Sequence, residues 1–285
     1  MRRAFVAFVV VLSVPLVLLA FHFTTIDVAG ASQPGGTAAE GINVQGDVVG
    51  TYSDSGGFAH AFLRKKTIFK TIFTTIDFPG AVDSVARGIN LLGDITGEYD
   101  DGVINHGFLR RNGKFTTVDF PGAANTYFLA INDFGVIAGT FDDNVTPHGF
   151  IYNQGKFTSI DFPGALGTVV TGINDLGDVV GYYSDAVTLH GFLRSNGRYT
   201  TIEPTGATGS MARGINTRGD IVGTYGDAAG AGHAFLFRKG ILFGKGTFTN
   251  IDLAGARARA INDLGNIVGF YIDNSGNTHG FEATP

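Results

Sequence analysis

From Phe23 onward the chain alternates short apolar runs with clusters of Gly, Asn, Asp and Pro. The apolar runs are rich in Val, Ile, Thr, Phe and Tyr and keep a two-residue period, the pattern of strands. In "KFTTVDF", Val118 and Phe120 fall on one face and Phe115 on the other. A stretch such as "ARGIN", "GDITGEY", "HGFLR", "KFTTVDF" therefore predicts four successive strands, here called a, b, c and d. The punctuation between them predicts hairpins. "INDLGD", Ile173 to Asp178, supplies Asn and Asp caps and a left-handed Gly between a and b. "RRNGK" and "RSNGR" place Asn-Gly between c and d, the strongest short-range signal for a two-residue hairpin. Proline after d, in "DFPGA", ends the ladder where no N–H is needed.

The same four-strand unit returns along the chain. Asn43, Asn90, Asn132, Asn174, Asn216 and Asn262 close strand a, and His60, His106, His148, His190, His233 and His279 open strand c. The d motif, [FY]-T-x-I-D and close variants, begins at Phe23, Phe73, Phe115, Phe157, Tyr199 and Phe248, at intervals of 50, 42, 42, 42 and 49 residues. Four antiparallel strands in about 42 residues, repeated, predict propeller blades. A β-solenoid is the rival, and the phase of the repeat separates the two. The chain opens on a lone d, Phe23–Asp27, and closes on a c with no d after it, Thr278–Glu282. An open solenoid gains nothing from that offset and needs polar caps. A ring gains a closing strand. The expected fold is thus all-β: a six-bladed β-propeller of four-stranded antiparallel blades over residues 22–285, closed by its N-terminal strand.

The N-terminus follows a different rule. "MRR" precedes an unbroken apolar run, Ala4–Phe21. Residues 1–21 read as an export signal cut near Ala20, or as an uncleaved membrane anchor, since 18 apolar residues just span a bilayer. Cutting after Ala31 would remove the closing strand. Either reading places the propeller outside the cytoplasm, extracellular or periplasmic.

Composition narrows the partners. The net charge is only -5 for 285 residues, which gives no reason to expect nucleic acid. There is no cysteine, so disulfides and thiolate metal sites are excluded. Contact with a membrane is expected only through the N-terminal run, and a monomer is expected.

The pattern resembles the bacterial extracellular HAF repeats, named for the tripeptide that stands here as His60-Ala61-Phe62 and His233-Ala234-Phe235, with Gly in the middle in the other four copies. The resemblance covers Phe23 to Phe281. It implies export and carries no reaction, cofactor or catalytic residue. The a–b turn also resembles the Asp-box hairpin of sialidase-type propellers, through Asn174-Asp175-x-Gly177. The sialidase arginines and acid pair are not recognisable.

Residues demanded six times are first of all requirements of the blade. The histidines are read as structural, hydrogen-bonded to an Asp of the preceding loop such as Asp100, Asp142 or Asp185. A metal ring is disfavoured because equivalent residues of successive blades lie too far apart to share one ion. "INDLGD" lacks the dense carboxylates of a calcium loop, so no metal and no cofactor is expected. The repeated Asn residues are read as turn caps.

Departures from symmetry are where function is sought. Arg87, Arg213, Arg257 and Arg259 sit in or beside strand a and form a candidate cluster at the channel mouth for carboxylate or phosphate. The long c–d connections carry Arg64, Lys65, Lys66 and Lys70 in the first unit, and Arg238, Lys239 and Lys245 in the fifth. They form a candidate basic surface for anionic glycans or lipid headgroups. The leading expectation is a non-catalytic binding or scaffold propeller for a glycan, a cell-wall component or a protein. The alternative is a hydrolase or lyase acting on a carbohydrate or lactone through a His and an Asp on the b–c loop face. The enzyme reading expects a deep axial pocket with asymmetric polar residues. The binding reading expects a channel lined by repeated small residues.

Overall fold

A computed structural model describes residues 21–240 and 246–285. They form six four-stranded antiparallel sheets. The first blade is β2 (Thr37–Ile42), β3 (Val48–Ser53), β4 (Ala59–Lys66) and β5 (Thr71–Thr75). The second is β6 (Asp83–Ile89), β7 (Ile95–Asp100), β8 (Asn105–Arg111) and β9 (Lys114–Thr117). The third is β10 (Asn125–Ile131), β11 (Ile137–Asp142), β12 (Pro147–Asn153) and β13 (Lys156–Ile160). The fourth is β14 (Gly167–Ile173), β15 (Val179–Ser184), β16 (Leu189–Ser195) and β17 (Arg198–Ile202). The fifth is β18 (Gly209–Ile215), β19 (Ile221–Gly226), β20 (Gly232–Arg238) and β21 (Thr247–Asn250). The sixth joins the two ends of the chain: β22 (Arg257–Ile261), β23 (Ile267–Ile272), β24 (Thr278–Thr284) and then β1 (His22–Ile26). Phe23 faces Ala283 and Ile26 faces Gly280 across that last ladder. The closure expected from the phase of the repeat is the one found. The signal-or-anchor call on residues 1–20 lies outside the described residues, as does Lys245.

Each blade is built on its strand c phenylalanine. Phe62, Phe108, Phe150, Phe192, Phe235 and Phe281 are fully buried, each worth about 1.5–3 kcal/mol in water removed from its ring. The next strand makes room for it. A Cβ on Gly97 would lie 2.9 Å from the Phe108 ring and closer still to the Val85 carbonyl. The aromatic that requires this glycine belongs to the same blade. Blades are stapled by the Phe after strand d. Phe78, Phe120 and Phe162 each stack at 3.7 Å on the aromatic of strand b in the following blade. The Pro-Gly turn behind each Phe swings it across the seam. The opposing faces of "KFTTVDF" separate as expected: Phe115 joins the core around Phe108, and Val118 and Phe120 join the core around Phe128.

The hairpins have the predicted turn chemistry. Asn112 and Gly113 both take positive φ, 49° and 79°, which matches the twist of the flanking strands. Successive connections alternate ends, so the a–b and c–d hairpins share one side of the disc, the turn face. The b–c and d–a connections share the other, the loop face.

Candidate functional site

Strand a lines the axis, and in all six blades its ladder to strand b slips by one residue. The slips leave Glu40, Arg87, Leu129, Thr171, Arg213 and Arg259 as the extra residue of a β-bulge. A bulge re-aims a side chain without breaking the sheet. Here it turns all six into the channel at one level, where they line a cavity of about 390 Å³. Tyr127, Val169, Pro147, Tyr182 and the hydroxyls of Thr140 and Thr171 complete its wall, with Asp142 at the loop-face end of β11. That volume is in the range of small-molecule sites.

On the turn-face side of these six side chains, a second stretch of the channel is lined by the Asn repeat. Asn43 donates from Nδ2 to the Asn90 carbonyl, Asn90 to Asn132, Asn132 to Asn174, Asn174 to Asn216, Asn216 to Asn262, and Asn262 back to Asn43. The same side chains accept from the turn through Oδ1, as with Asp178 N at 2.9 Å. The cap role expected for Asn is present, and a closed inter-blade ring is added to it.

The six channel side chains share a backbone slot and differ in chemistry. Arg87 donates to Glu98 through both Nε and Nη2, and its Nη1 lies 3.2 Å from Glu40. Arg259 approaches Glu40 at 3.4 Å, with its Nε buried and lacking a hydrogen-bond partner. Its guanidinium lies 5.1 Å over the Phe270 ring. Arg213 has no carboxylate within salt-bridge distance among the described residues. Its guanidinium rests 5.0 Å over Tyr182, and its one hydrogen bond goes to the Met211 sulfur.

The titration pattern follows from this packing. Burial, then the nearby Arg259 charge, pushes Arg213 down to about 10, so it remains charged at neutral pH. Burial alone would raise Glu40, but Arg259, Arg87 and Arg213 together hold it below the ordinary carboxylate value. Burial raises Glu98, and Arg87 only partly offsets it. Burial also raises Asp142, which is hydrogen-bonded to Asn125. Arg87 and Arg259 thus pair with Glu40 and Glu98, while Arg213 has no carboxylate within salt-bridge distance among the described residues and Asp142 lines the same cavity apart from it.

Of the arginines singled out in the sequence, Arg87, Arg213 and Arg259 converge on the cavity. Arg257 is exposed and does not line it. Glu40 and Glu98 were not foreseen. The signal was present, because Glu40 occupies the slot before Gly-Ile-Asn that holds Arg87 and Arg213 in other blades.

The histidines sit on the rim of the loop face in a different arrangement from the one expected. His106 meets Asp101 through Nε2 at 3.3 Å and Asp119 of the d segment through Nδ1 at 2.8 Å. His148 pairs with Asp143 and Asp161 in the same way. Asp100 and Asp142 are therefore not the partners; they end strand b, and the next residue reaches the imidazole. For His190 the expected Asp185 is the partner, at 3.0 Å. Each imidazole also stacks on the strand b aromatic, as His106 does on Tyr99 with ring centres 5.0 Å apart. With a carboxylate at both ring nitrogens in five of them, and at Nε2 in His233, these histidines are built into the blade, and among the described residues no cluster is placed to hold a metal ion.

The channel of repeated small residues expected for a binding propeller is present on the turn-face side, where Gly41, Gly88, Ala130, Gly172, Gly214 and Ala260 line it beside the Asn repeat. The asymmetric axial pocket expected of an enzyme is present, but arginine and glutamate line it and the His–Asp pairs do not.

The fold and this pocket define a six-bladed propeller with an axial cavity lined by three arginines together with Glu40 and Asp142. No family model matches the chain, and no curated protein matches it. Among solved structures it is similar to TolB from Acinetobacter baumannii (TM-score 0.58, 8% identity), covering 90% of this chain and 66% of that one. It therefore spans about two thirds of that protein. It is also similar to the SapL1 lectin in complex with alpha methyl fucoside (TM-score 0.56, 13% identity), over 90% of this chain and 94% of that one. A third is XC5397 from Xanthomonas campestris, described as a gluconolactonase (TM-score 0.54, 12% identity, 93% and 90% covered). At these identities the likeness establishes the propeller fold, which serves binders and hydrolases alike.

Proposed function

We propose that this chain is an exported binding propeller of the HAF-repeat type, and that its axial pocket takes a small ligand carrying one carboxylate on a sugar-like body. The observation that carries this reading is the Arg213 guanidinium, which has no carboxylate within salt-bridge distance among the described residues and faces a cavity it shares with Arg259. Arg offers a planar fork that fits a carboxylate in two parallel hydrogen bonds. Tyr127, Val169 and Pro147 provide apolar wall, and Thr140 and Thr171 provide hydroxyls for a polyol. The propeller likeness to a lectin bound to a fucoside supports a saccharide as the body of the ligand.

The test is calorimetric titration with matched acid and neutral sugars, galacturonate against galactose and glucuronate against glucose. At least one acid should bind and its neutral partner should not. Arg213→Gln should weaken the acid at least tenfold, since a hydrogen bond to a charged group is worth roughly 1.5–3 kcal/mol. Its melting temperature should fall by only a few degrees, because Arg213 makes no ion pair among the described residues and its contact with the neighbouring blade is the stacking on Tyr182, worth about 0.5–2 kcal/mol. Equal binding of acid and neutral sugars, or no binding of any acid, would sink the proposal.

A second reading, a hydrolase acting on a carbohydrate or lactone, has one observation in its favour. Asp142 lines the same cavity and burial raises its pKa, as a general acid requires. The likeness to the gluconolactonase fits it. Gluconolactone included in the same panel separates the readings: turnover abolished by Asp142→Asn supports the hydrolase, and binding without turnover supports the receptor.

A further inference from the structure

The two faces of the disc differ in charge. Outside the channel, every described Lys and Arg except Arg257 belongs to the end of a c strand, the start of a d strand or a hairpin on the turn face. Lys70, Lys114, Lys156, Arg198 and Lys239 are exposed there. The loop face carries the aspartates of the b–c loops and of the d ends, and Arg257 is the one described Lys or Arg there outside the channel.

The turn face is also tipped with apolar side chains. The first c–d connection, Thr67–Lys70, holds out Ile68 and Phe69, 91% and 90% exposed, between Lys66 and Lys70. Nearer the axis the a–b hairpins present Leu92, Phe134, Leu176 and Leu264, each at least 60% exposed. Each of these a–b tips lies beside an aspartate (Asp94, Asp133, Asp175 or Asp263), whereas Ile68 and Phe69 stand between lysines, the composition of a wedge that enters the headgroup region of an anionic bilayer. The loop face has exposed valines too, Val103, Val145 and Val187, but its aspartates would repel such a bilayer.

The entry point of the chain supplies an independent argument. β1 is a d strand and starts on the turn face, where His22 pairs with Thr284. Only Phe21 separates that ladder from residue 20 of the apolar run Ala4–Phe21. One residue reaches under about 4 Å. Retained or later cut, the run delivers the domain to the membrane turn face first.

We infer that the turn face is a membrane-docking surface that seats on anionic lipid, with Ile68 and Phe69 as its wedge, and that it leaves the axial pocket open on the opposite side. This inference stands apart from the ligand proposed for the pocket.

The chain has no tryptophan, so a single introduced Trp reports its own surroundings. The test uses residues 22–285, within which all twenty-four strands and the closing ladder lie. Phe69→Trp on the turn face and Val103→Trp on the loop face are mixed with vesicles of phosphatidylcholine alone or with phosphatidylglycerol added. The expected result is a blue shift of Phe69→Trp emission on the phosphatidylglycerol vesicles only, reversed by salt, with Val103→Trp unmoved. Lys70→Gln and Lys114→Gln should each weaken vesicle binding about fivefold, the change that ~1 kcal/mol per basic residue at such a surface implies. No shift at Phe69→Trp, or an equal shift at Val103→Trp, would overturn the inference. So would a concentration-dependent shift without lipid, which would make a second copy of the chain the occupant.

Discussion

His106 is held between two carboxylates and against a ring, and this fixes how the rim responds to pH. Its two hydrogen bonds to Asp119 and Asp101 outweigh burial and raise its pKa. His60 is raised chiefly by Asp77, and His279 chiefly by Asp27. The loop partners move the other way. Asp54 and Asp101 are lowered first by backbone N–H donors of their own loops, and Asp185 falls to about 2 for the same reason. A raised His contributes stability that is complete below the ordinary value of 6.5 and is lost as pH climbs through the raised folded value. A lowered Asp contributes stability present above 3.8 and lost as pH falls through its folded value. The clamps therefore stabilise most between about 3.8 and 6.5. Melting temperature should decline as pH rises above that window, and His106→Asn should flatten part of the decline at little cost to the fold at high pH. An unchanged slope in the variant would contradict the clamp. Half of this arrangement was legible beforehand. The Asn-Gly hairpin fixes the c–d register, and one step past Gly107 and Val118 that register sets His106 opposite Asp119. The loop partner was misread by one residue, because nothing in "EYDD" distinguishes the Asp that ends the ladder from the Asp that turns back toward the ring.

At the level of strands, the bulge in strand a has the largest functional consequence. It places one side chain per blade into the channel while the flanking residues, such as Ala86 and Ile89, stay in the core. No sequence pattern announced it: "ARGIN" reads as plain alternation, and the slip appears only when strand b is laid beside it. The identities in the slot were readable, since Arg87, Arg213 and Arg259 stand out against Leu129 and Thr171. Their opposition to Glu40 and Glu98 was not, because Glu98 lies on strand b, where equivalent blades carry Thr, Tyr or Phe. Just below the bulge, the Asn ring ties each strand a to the next. Asn174→Ala removes one inter-blade donor and leaves the Leu176 and Asp178 amides uncapped. It should cost about 2 kcal/mol or more, as buried groups left unpaired do. Asn174→Asp keeps the caps and loses only the donor, so the difference in unfolding free energy between the two variants isolates the cap. If both variants melt with the wild type, the ring is ornamental.

Taken whole, the molecule is a ring whose six bulge residues lie on one level only because the ring is closed. Beyond the β1–β24 ladder, the seam is locked by Arg64 of the first blade, buried and 2.9 Å from Glu282 of the last, with Lys66 on the same carboxylate. Closure was legible because it is a counting property: a spare d at one end and a missing d at the other. The location of the pocket was only partly legible, since it depends on which identical slots hold different side chains. The most direct measurement compares thermal unfolding and acid-sugar titration for chains beginning at Phe21 and at Ser32. The shorter chain loses β1, exposes the β24 edge and lacks the buried Ile26. The account predicts a melting temperature lower by roughly 10 °C or more, at about 2–4 °C per kcal/mol for a domain of this size, with ligand affinity falling alongside it. Equal melting temperatures and equal affinities in the two chains would contradict it.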